Sequence, residues 1–257
     1  MKINAIKWKL MLTTLPVTLI ILLIKLGLVH VAGFDGLIKF SDIGLVVTGG
    51  LFLVGFMLAG TMSDYKESEK LPAELSSILE SIEDAITLSH RFKGSFDLAS
   101  QKKQLYDLTA SVIGWFTKTS SSDEVYRKIS GITDIALVLE AAGSGPISSK
   151  VLGEQNNLRK VFSRVNVIRM TNFLSTGYAL LEVLAVVIIF LLMIGKFDSE
   201  LVRIIIVSFV TQIFVYMIRL IRDIDEPFEY APDGRQGAAD VDLFPLYEYQ
   251  ARAAKRL

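Results

Sequence analysis

The sequence predicts an all-α membrane protein whose four transmembrane helices form two pairs, separated along the chain by a helical cytoplasmic region. Of the 257 residues, 51% are hydrophobic and only 21% are charged, whereas a soluble domain is about 25% charged. The mean hydropathy is +0.47. Four segments have the roughly 20 apolar residues that a helix needs to cross about 30 Å of hydrocarbon. The residues between the second and third segments show helical periodicity instead.

The four membrane segments are recognised by long runs that are almost free of charge. They are Leu10 to Val31, Ile43 to Met62, Phe173 to Ile194 and Leu201 to Ile218. Only a few charged side chains fall inside them, namely Lys25, Glu182 and Arg203. Each such charge costs about 2.5–3.5 kcal/mol at a helix centre, so each is expected to have a partner or a route to water.

Residues 63–172 form the predicted cytoplasmic region, because their apolar residues recur at intervals of three and four. Its amphipathic stripes run over Leu71–Ile86, Leu105–Phe116, Val125–Leu139 and Leu158–Ile168. Turn residues at 93–95, 119–122 and 143–146 separate the stripes. The predicted organisation is a membrane helix pair over 1–62, the cytoplasmic region over 63–172, a second pair over 173–222 and a cytoplasmic tail over 223–257.

The tail from Ala231 is polar and contains glycine, so we expect it to be extended.

Orientation in the membrane follows from the basic residues, which are sparse in the two short loops, with Lys39 and Lys196. They are frequent beside the N-terminus, the middle region and the C-terminus, at Lys2, Lys7, Lys9, Lys66, Lys70, Arg159, Lys160, Arg164, Arg169, Arg219 and Arg222. The positive-inside rule therefore predicts a multi-pass protein of the inner cell membrane with both termini in the cytoplasm.

The composition excludes most catalytic chemistry. The chain has no cysteine and only His30 and His90, so thiolate chemistry is absent and histidine-based metal sites are poorly supported. No phosphate loop, dinucleotide fingerprint or zinc-protease motif occurs. Carboxylates such as Glu67/Glu69 and Glu80/Glu83/Asp84 lie on amphipathic stripes, where solvation explains them. The 27 basic and 27 acidic residues balance, which gives no field for nucleic acid. We predict neither an enzyme nor a nucleic-acid partner.

Lys25 and Glu182 are the candidate intramembrane polar site. In one interpretation Lys25 extends outward to water and Glu182 hydrogen-bonds within the helix bundle. In the other they belong to an ion path or proton site, with a direct pair only if Lys25 reaches inward. An intramembrane enzyme or proton-coupled transporter that uses Glu182 is the least supported class.

The second membrane segment combines small residues with one aromatic stripe. It carries no charge between Ile43 and Met62, and its glycines and alanines allow close helix approach. Thr48, Phe52 and Phe56 follow one another at four-residue spacing, so they share a helix face. The stripe is either part of a packed core or a hydrophobic pore constriction.

The same segment resembles the second-helix region of bestrophins. The stretch from Gly50 to Leu75, GLFLVGFMLAGTMSDYKESEKLPAEL, has an apolar helix with a Gly55-Phe56 pair, then a polar turn with an aromatic residue. Glu67 to Leu71 (ESEKL) is similar to the family's E-A-R-K-L-W run. The family's usual residues are replaced at Met57, Glu69 and Pro72.

A second resemblance lies after the fourth segment. The sequence IRDIDEPFEYAPDG is similar to the acidic Pro-Phe signature of bestrophins, through Asp225, Glu226, Pro227 and Phe228, and Asp240 to Leu243 is similar to the element that follows it. The resemblance implies a bestrophin-like fold of the divergent bacterial branch and a homopentameric channel for chloride or related anions in the lipid bilayer. It places Thr48, Phe52 and Phe56 along the neck of the pore. A cation-selective channel and a non-conducting structural or signalling protein of this fold remain the alternatives.

Animal bestrophins carry an acidic calcium clasp after the fourth helix, where this chain has Asp223, Asp225, Glu226 and Glu229. A calcium site needs six to eight oxygens. Arg219 and Arg222 lie about one turn away, so we expect helix-end salt bridges rather than a metal site. No cofactor is expected, and calcium is the alternative.

The predicted topology can be tested because the chain contains no cysteine. Single cysteines at Lys9, at Ser120 and in the C-terminal tail are expected to react with a membrane-impermeant maleimide only after the cells are broken. Labelling of a cysteine at position 120 from outside intact cells would contradict the assignment.

Overall fold

In the computed structural model, residues 3–171, 175–230, 237 and 239–257 are described. These residues form nine helices and one two-stranded ladder. The helices are α1 (Ile3–His30), α2 (Phe40–Ser68), α3 (Leu71–Lys93), α4 (Leu98–Phe116), α5 (Ser122–Ala141), α6 (Gly145–Met170), α7 (Ser175–Ile194), α8 (Glu200–Asp225) and α9 (Phe244–Ala254). The strands are β1 (Ile38–Lys39) and β2 (Gly195–Lys196). The predicted all-α class is confirmed.

The chain divides into two compact units. The first, here called the membrane unit, comprises Met1–Tyr65, Asn172–Glu226 and Gly237–Ala239. The second, here called the bundle unit, comprises Lys66–Thr171, Pro227–Gln236 and Asp240–Leu257. The C-terminal segment from Asp240 therefore packs with the middle of the sequence.

Four helices are long and apolar enough to cross a membrane, and they coincide with the four predicted segments. Their facing sides form one apolar core, whose buried residues include Ile43, Val47, Val54, Leu181, Ile188, Leu192, Val207 and Phe214. Their outer sides expose large apolar residues, including Leu19, Ile20, Leu23, Val183, Val186, Phe190, Ile205 and Phe209. Such an outer surface is stable in hydrocarbon and would be unfavourable in water.

Gly50 brings α2 close to α7 and α8. A Cβ atom at this position would lie 2.5 Å from Ile188 Cδ1 and 2.9 Å from Phe214 Cζ. Both neighbours are fully buried, so neither has free space into which it could move. Close approach of membrane helices at small residues is the usual way in which such bundles gain packing energy.

The ladder joins the α1–α2 connection to the α7–α8 connection. Its strands are parallel, with Ile38 opposite Gly195 and Lys39 opposite Lys196. Gly36 precedes the ladder with φ +116°, and a Cβ there would lie 2.6 Å from the carbonyl oxygen of Gly195. Only glycine combines this backbone conformation with so close a contact. The ladder therefore fixes where α2 begins.

The bundle unit contains the four predicted amphipathic helices, α3 to α6. Their stripes are buried, as expected, at Leu75, Leu79, Ile82, Leu105, Val112, Phe116, Ile129, Leu139, Leu158 and Phe162. Helix ends occur at the predicted turns. Gly94 caps α3 with φ 60°, and Ser121 caps α5 by accepting a hydrogen bond from the Glu124 amide. Both are common helix-terminating arrangements.

The prediction of an extended tail is wrong for residues 244–254, which form α9. Residues 231–236 and 238 lie outside the described part. Leu246, Tyr249 and Ala253 are buried against the bundle unit, and their three- and four-residue spacing is the helical signal that the polar composition of the tail concealed. Burial, reinforced by the Glu83 carboxylate, raises the pKa of the Tyr249 hydroxyl well above its ordinary value.

Ion pairs also hold α9 in place. Arg256 lies 2.8 Å from the Glu83 carboxylate, which is buried, and Arg252 lies 3.2 Å from Glu80. Lys102 of α4 contacts Glu83 at 3.5 Å. The buried acid is therefore compensated by two cations, as a buried charge requires.

Two adjacent glycines provide a matched test of the membrane core. Gly50→Ala is expected to destabilise the detergent-solubilised protein by about 1–3 kcal/mol, because the added methyl overpacks a filled core. Gly49 has no atom within 4 Å of a built Cβ, so Gly49→Ala should be neutral or stabilising by up to about 1 kcal/mol. Thermal unfolding of the two variants measures the difference, and equal melting temperatures would contradict the proposed close packing.

Candidate functional site

One face of α2 packs inside the membrane unit and the other does not. Ile43, Val47, Val54 and Met57 are buried, at 1–6% exposure. Their spacing of three, four and seven residues defines one side of the helix. The opposite side is therefore the part of α2 that is free to contact something outside this chain.

The predicted stripe lies on that opposite side. Phe52 is 74% exposed and Phe56 is 67% exposed, and Thr48 is also exposed. The interpretation of these residues as part of the core of their own chain is therefore wrong. The Thr48 hydroxyl donates to the Gly44 carbonyl at 2.9 Å, so it is satisfied within the helix. Four-residue steps give a stripe of roughly 12 Å along the helix axis.

Several glycines lie on the same exposed face. Built Cβ atoms at Gly44, Gly49 and Gly55 meet nothing within 4 Å. Packing inside the chain thus explains Gly50 but none of these three. Two phenylalanines surrounded by glycines protrude from the surface more than they would among larger side chains.

Lys25 is buried in the membrane unit. Its side chain is 0% exposed, so the interpretation in which it extends outward to water is wrong. Its ammonium donates to the carbonyl oxygens of Met193 and Gly195, each at 2.8 Å. The Phe197 ring lies 5.6 Å from the nitrogen, within the range of a cation–π contact. Lys25 therefore caps the C-terminal end of α7, where backbone carbonyls lack helical partners.

Glu182 does not share a site with Lys25. Its carboxylate pairs with Arg222 in the last turn of α8. Glu182 precedes Met193 by eleven residues, about 17 Å along α7, so the two charges are about three helical turns apart. The candidate Lys25/Glu182 site is therefore two separate structural pairings.

Asp35, which the sequence did not single out, is the acid close to Lys25. Its carboxylate contacts Arg203 at 2.9 Å and Lys196 at 3.3 Å. Arg203 is only 6% exposed, while Asp35 and Lys196 are both more than half exposed as side chains. Asp35 lies 168 residues from Arg203 in sequence, and no local pattern marks such a pair.

A further polar contact joins α1 and α8. Gln212 donates to the Thr14 hydroxyl at 2.7 Å, and the Thr18 hydroxyl donates to the Gln212 side-chain oxygen at 2.6 Å. These residues flank Pro16, the proline inside α1. Interhelical hydrogen bonds of this kind contribute about 0.6 kcal/mol each in membranes, so this contact supports the packing of the two helices.

The sequence matches no protein-family model and no curated protein. Comparison with solved structures, however, gives close agreement over nearly the whole chain. A bacterial bestrophin homolog from Klebsiella pneumoniae superposes with a TM-score of 0.75 at 12% identity, covering 95% of this chain and 97% of that one. The chain has the bestrophin fold.

Two other structures agree with this assignment. A point mutant of the Klebsiella pneumoniae bestrophin homolog gives a TM-score of 0.73 at 13% identity, over 96% of this chain and 97% of that one. A crystal structure of a membrane protein gives 0.71 at 13% identity, over 96% and 98%. At this identity the likeness concerns the bestrophin fold.

The acidic cluster after α8 is divided between the two units. Asp223, Asp225 and Glu226 belong to the membrane unit, and Glu229 belongs to the bundle unit. The Tyr178 hydroxyl donates to the Ile221 carbonyl at 3.4 Å. Among the described residues, no group of three histidine or acidic side chains is arranged to hold a metal ion.

The two arginines expected to neutralise these acids have other described contacts. Arg222 pairs with Glu182, and Arg219 donates to the Thr13 carbonyl at 2.9 Å. The described bridge of Arg222 therefore runs to α7, and the helix-end salt bridges to the acidic cluster stay a prediction.

Calcium binding provides the test of this region. Isothermal titration with micromolar calcium is expected to give no binding heat, because a site needs six to eight oxygens around one point and the described acids do not converge. Asp225→Asn should give the same flat titration. A saturable heat in the unmodified protein that disappears in Asp225→Asn would contradict this expectation.

Proposed function

We propose that this chain is a subunit of an ion channel in which ions pass down their gradient along an axis shared by several copies. The observation that carries the proposal is the exposed Thr48–Phe52–Phe56 stripe on a membrane helix whose other face is buried. A hydrophobic stripe of this kind, repeated around an axis, forms a constriction that can close by dewetting.

An axis between copies is required because one chain has a filled interior. Ile188, Leu192 and Phe214 are fully buried in the centre of the membrane unit, and a bundle packed in this way leaves no aqueous path. Identical subunits around a pore repeat one heterologous contact, which gives cyclic symmetry. The bestrophin fold supports a homopentamer as the assembly.

The proposed permeant ions are chloride and related inorganic anions. No charged side chain lies between Ile43 and Met62 to attract a cation, and the positive edge of a phenylalanine ring favours a partly dehydrated anion. With no basic residue on the stripe, the expected anion preference is weak. The proposed location is the inner membrane, with the termini and the bundle unit on the cytoplasmic side, in agreement with the distribution of basic residues.

The direct experiment is reconstitution of the purified protein in a planar bilayer under asymmetric salt. A current with a defined reversal potential is expected, from a detergent-solubilised particle of about five times the chain mass. Absence of current under varied voltage, pH and calcium would favour the alternative of a non-conducting structural or signalling protein. A monomeric or dimeric particle would remove the proposed pore.

The stripe itself is tested by truncating its aromatic side chains. Phe52→Ala and Phe56→Ala are expected to raise conductance or open probability while the oligomer stays assembled, because each removes a bulky apolar ring from the constriction. Single-channel recording and size-exclusion chromatography measure the two quantities.

Two other phenylalanines serve as matched controls. Phe209 of α8 is 66% exposed but lies outside α2, so Phe209→Ala should leave conductance unchanged. Phe214 is fully buried, so Phe214→Ala should cost about 3–5 kcal/mol of stability. If Phe52→Ala and Phe56→Ala lower the melting temperature as Phe214→Ala does, and currents do not change, α2 does not line the pore.

A further inference from the structure

Among the described residues of the membrane unit, the charged residues that are buried as a whole are both cations. One carboxylate oxygen of Asp223, at the opposite end of α8 from Arg203, is also buried. Lys25 is 0% exposed and Arg203 is 6% exposed, and no acidic residue of this unit is buried to the same degree. Asp35 compensates Arg203 in part, but it is half exposed and also contacts Lys196. The Nε of Arg203 is buried and has no hydrogen-bond partner among the described residues.

Both cations lie at the end of the unit where α2 begins. Lys25 donates to the carbonyl of Gly195, and Gly195 is opposite Ile38 in the ladder. Ile38 precedes the first residue of α2 by two positions. The N-terminus of a helix also carries about half a positive charge. The proposed pore-lining helix α2 therefore starts near the buried positive charge of Lys25, and its own N-terminal dipole adds to that charge.

The groups in direct contact with the Lys25 ammonium attract a cation but do not cancel its charge. The described contacts of its nitrogen are two carbonyl oxygens and the face of Phe197, all of which attract a cation. The C-terminal dipole of α7 offsets about half a unit of charge. A net positive potential remains, and the low dielectric of the interior transmits it farther than water would.

The acids at the same end are exposed and act differently. Asp42, Asp198 and Glu200 are all on the surface, where mobile ions screen them within about 8 Å at physiological salt. A buried charge is screened much less. The charged residues of the two connecting segments balance, but the charged side chains buried beside them are positive.

We propose that Lys25 is a selectivity-determining residue: its buried charge, repeated in every subunit, raises anion permeability over cation permeability at the end of the pore where α2 begins. This inference rests on the proposed channel function and deepens it. It assigns the preference for anions to a residue that does not contact the permeant ion.

The test compares reversal potentials in asymmetric KCl for the unmodified channel, Lys25→Gln and Lys25→Arg. Glutamine keeps an amide donor on a side chain one bond shorter than lysine and carries no charge, so the ratio of chloride to potassium permeability should fall roughly two- to five-fold. Lys25→Arg keeps the charge and should keep the ratio. If Lys25→Gln alone does not assemble, co-expression with the unmodified chain gives mixed channels, whose ratio should fall as the share of Lys25→Gln subunits rises.

Lys196→Gln is the matched surface control. Lys196 contacts the same carboxylate but its side chain is 58% exposed. Its effect on the permeability ratio should disappear in about 1 M salt, where the screening length is about 3 Å, whereas the Lys25→Gln effect should persist. An unchanged ratio in Lys25→Gln, or equal loss of both effects in salt, overturns the inference while the channel still conducts. Absence of current in the unmodified protein would instead reject the proposed function.

Discussion

Lys25 occupies a position on which much of the membrane unit depends. A charged side chain without water must bond to protein, and this one bonds to the two carbonyl groups that end α7 and begin the following connection. The same connection supplies β2, which pairs with β1 and so determines where α2 starts. One ammonium group thus links α1 to the end of α7, and the ladder connects that end to the start of α2.

The two faces of α2 follow from that placement. With its start fixed, the side carrying Ile43, Val47 and Val54 packs onto α7 and α8, while Phe52 and Phe56 face away. Exposed apolar residues on α7 and α8, such as Phe190 and Phe209, are stable in hydrocarbon. Those of α2 differ because glycines surround them, and glycines give little area for a lipid contact. Under the proposed function, this surface faces the axis shared by the copies.

The bundle unit shows how a charge network extends a helical core. Glu83 is buried between Lys102 and Arg256, and this arrangement draws α9 onto α3 and α4. Tyr249 then fills the contact, with its hydroxyl directed to the Leu79 carbonyl. The acidic residue that looked like an ordinary solvated position in sequence is therefore the anchor of the C-terminal helix.

Local signals in the sequence determined the fold class, the four membrane segments, the four amphipathic helices with their turns, and the shared face of Thr48, Phe52 and Phe56. Each depends on hydrophobic length or periodicity within a few turns, which neighbouring residues alone decide. The partners of Lys25, Glu182 and Asp35 lie 40 to 170 residues away, and only the packing of the helices decided them. The burial of Lys25 is the clearest case, because the sequence shows a charge in an apolar run but not the two carbonyls that make its burial tolerable.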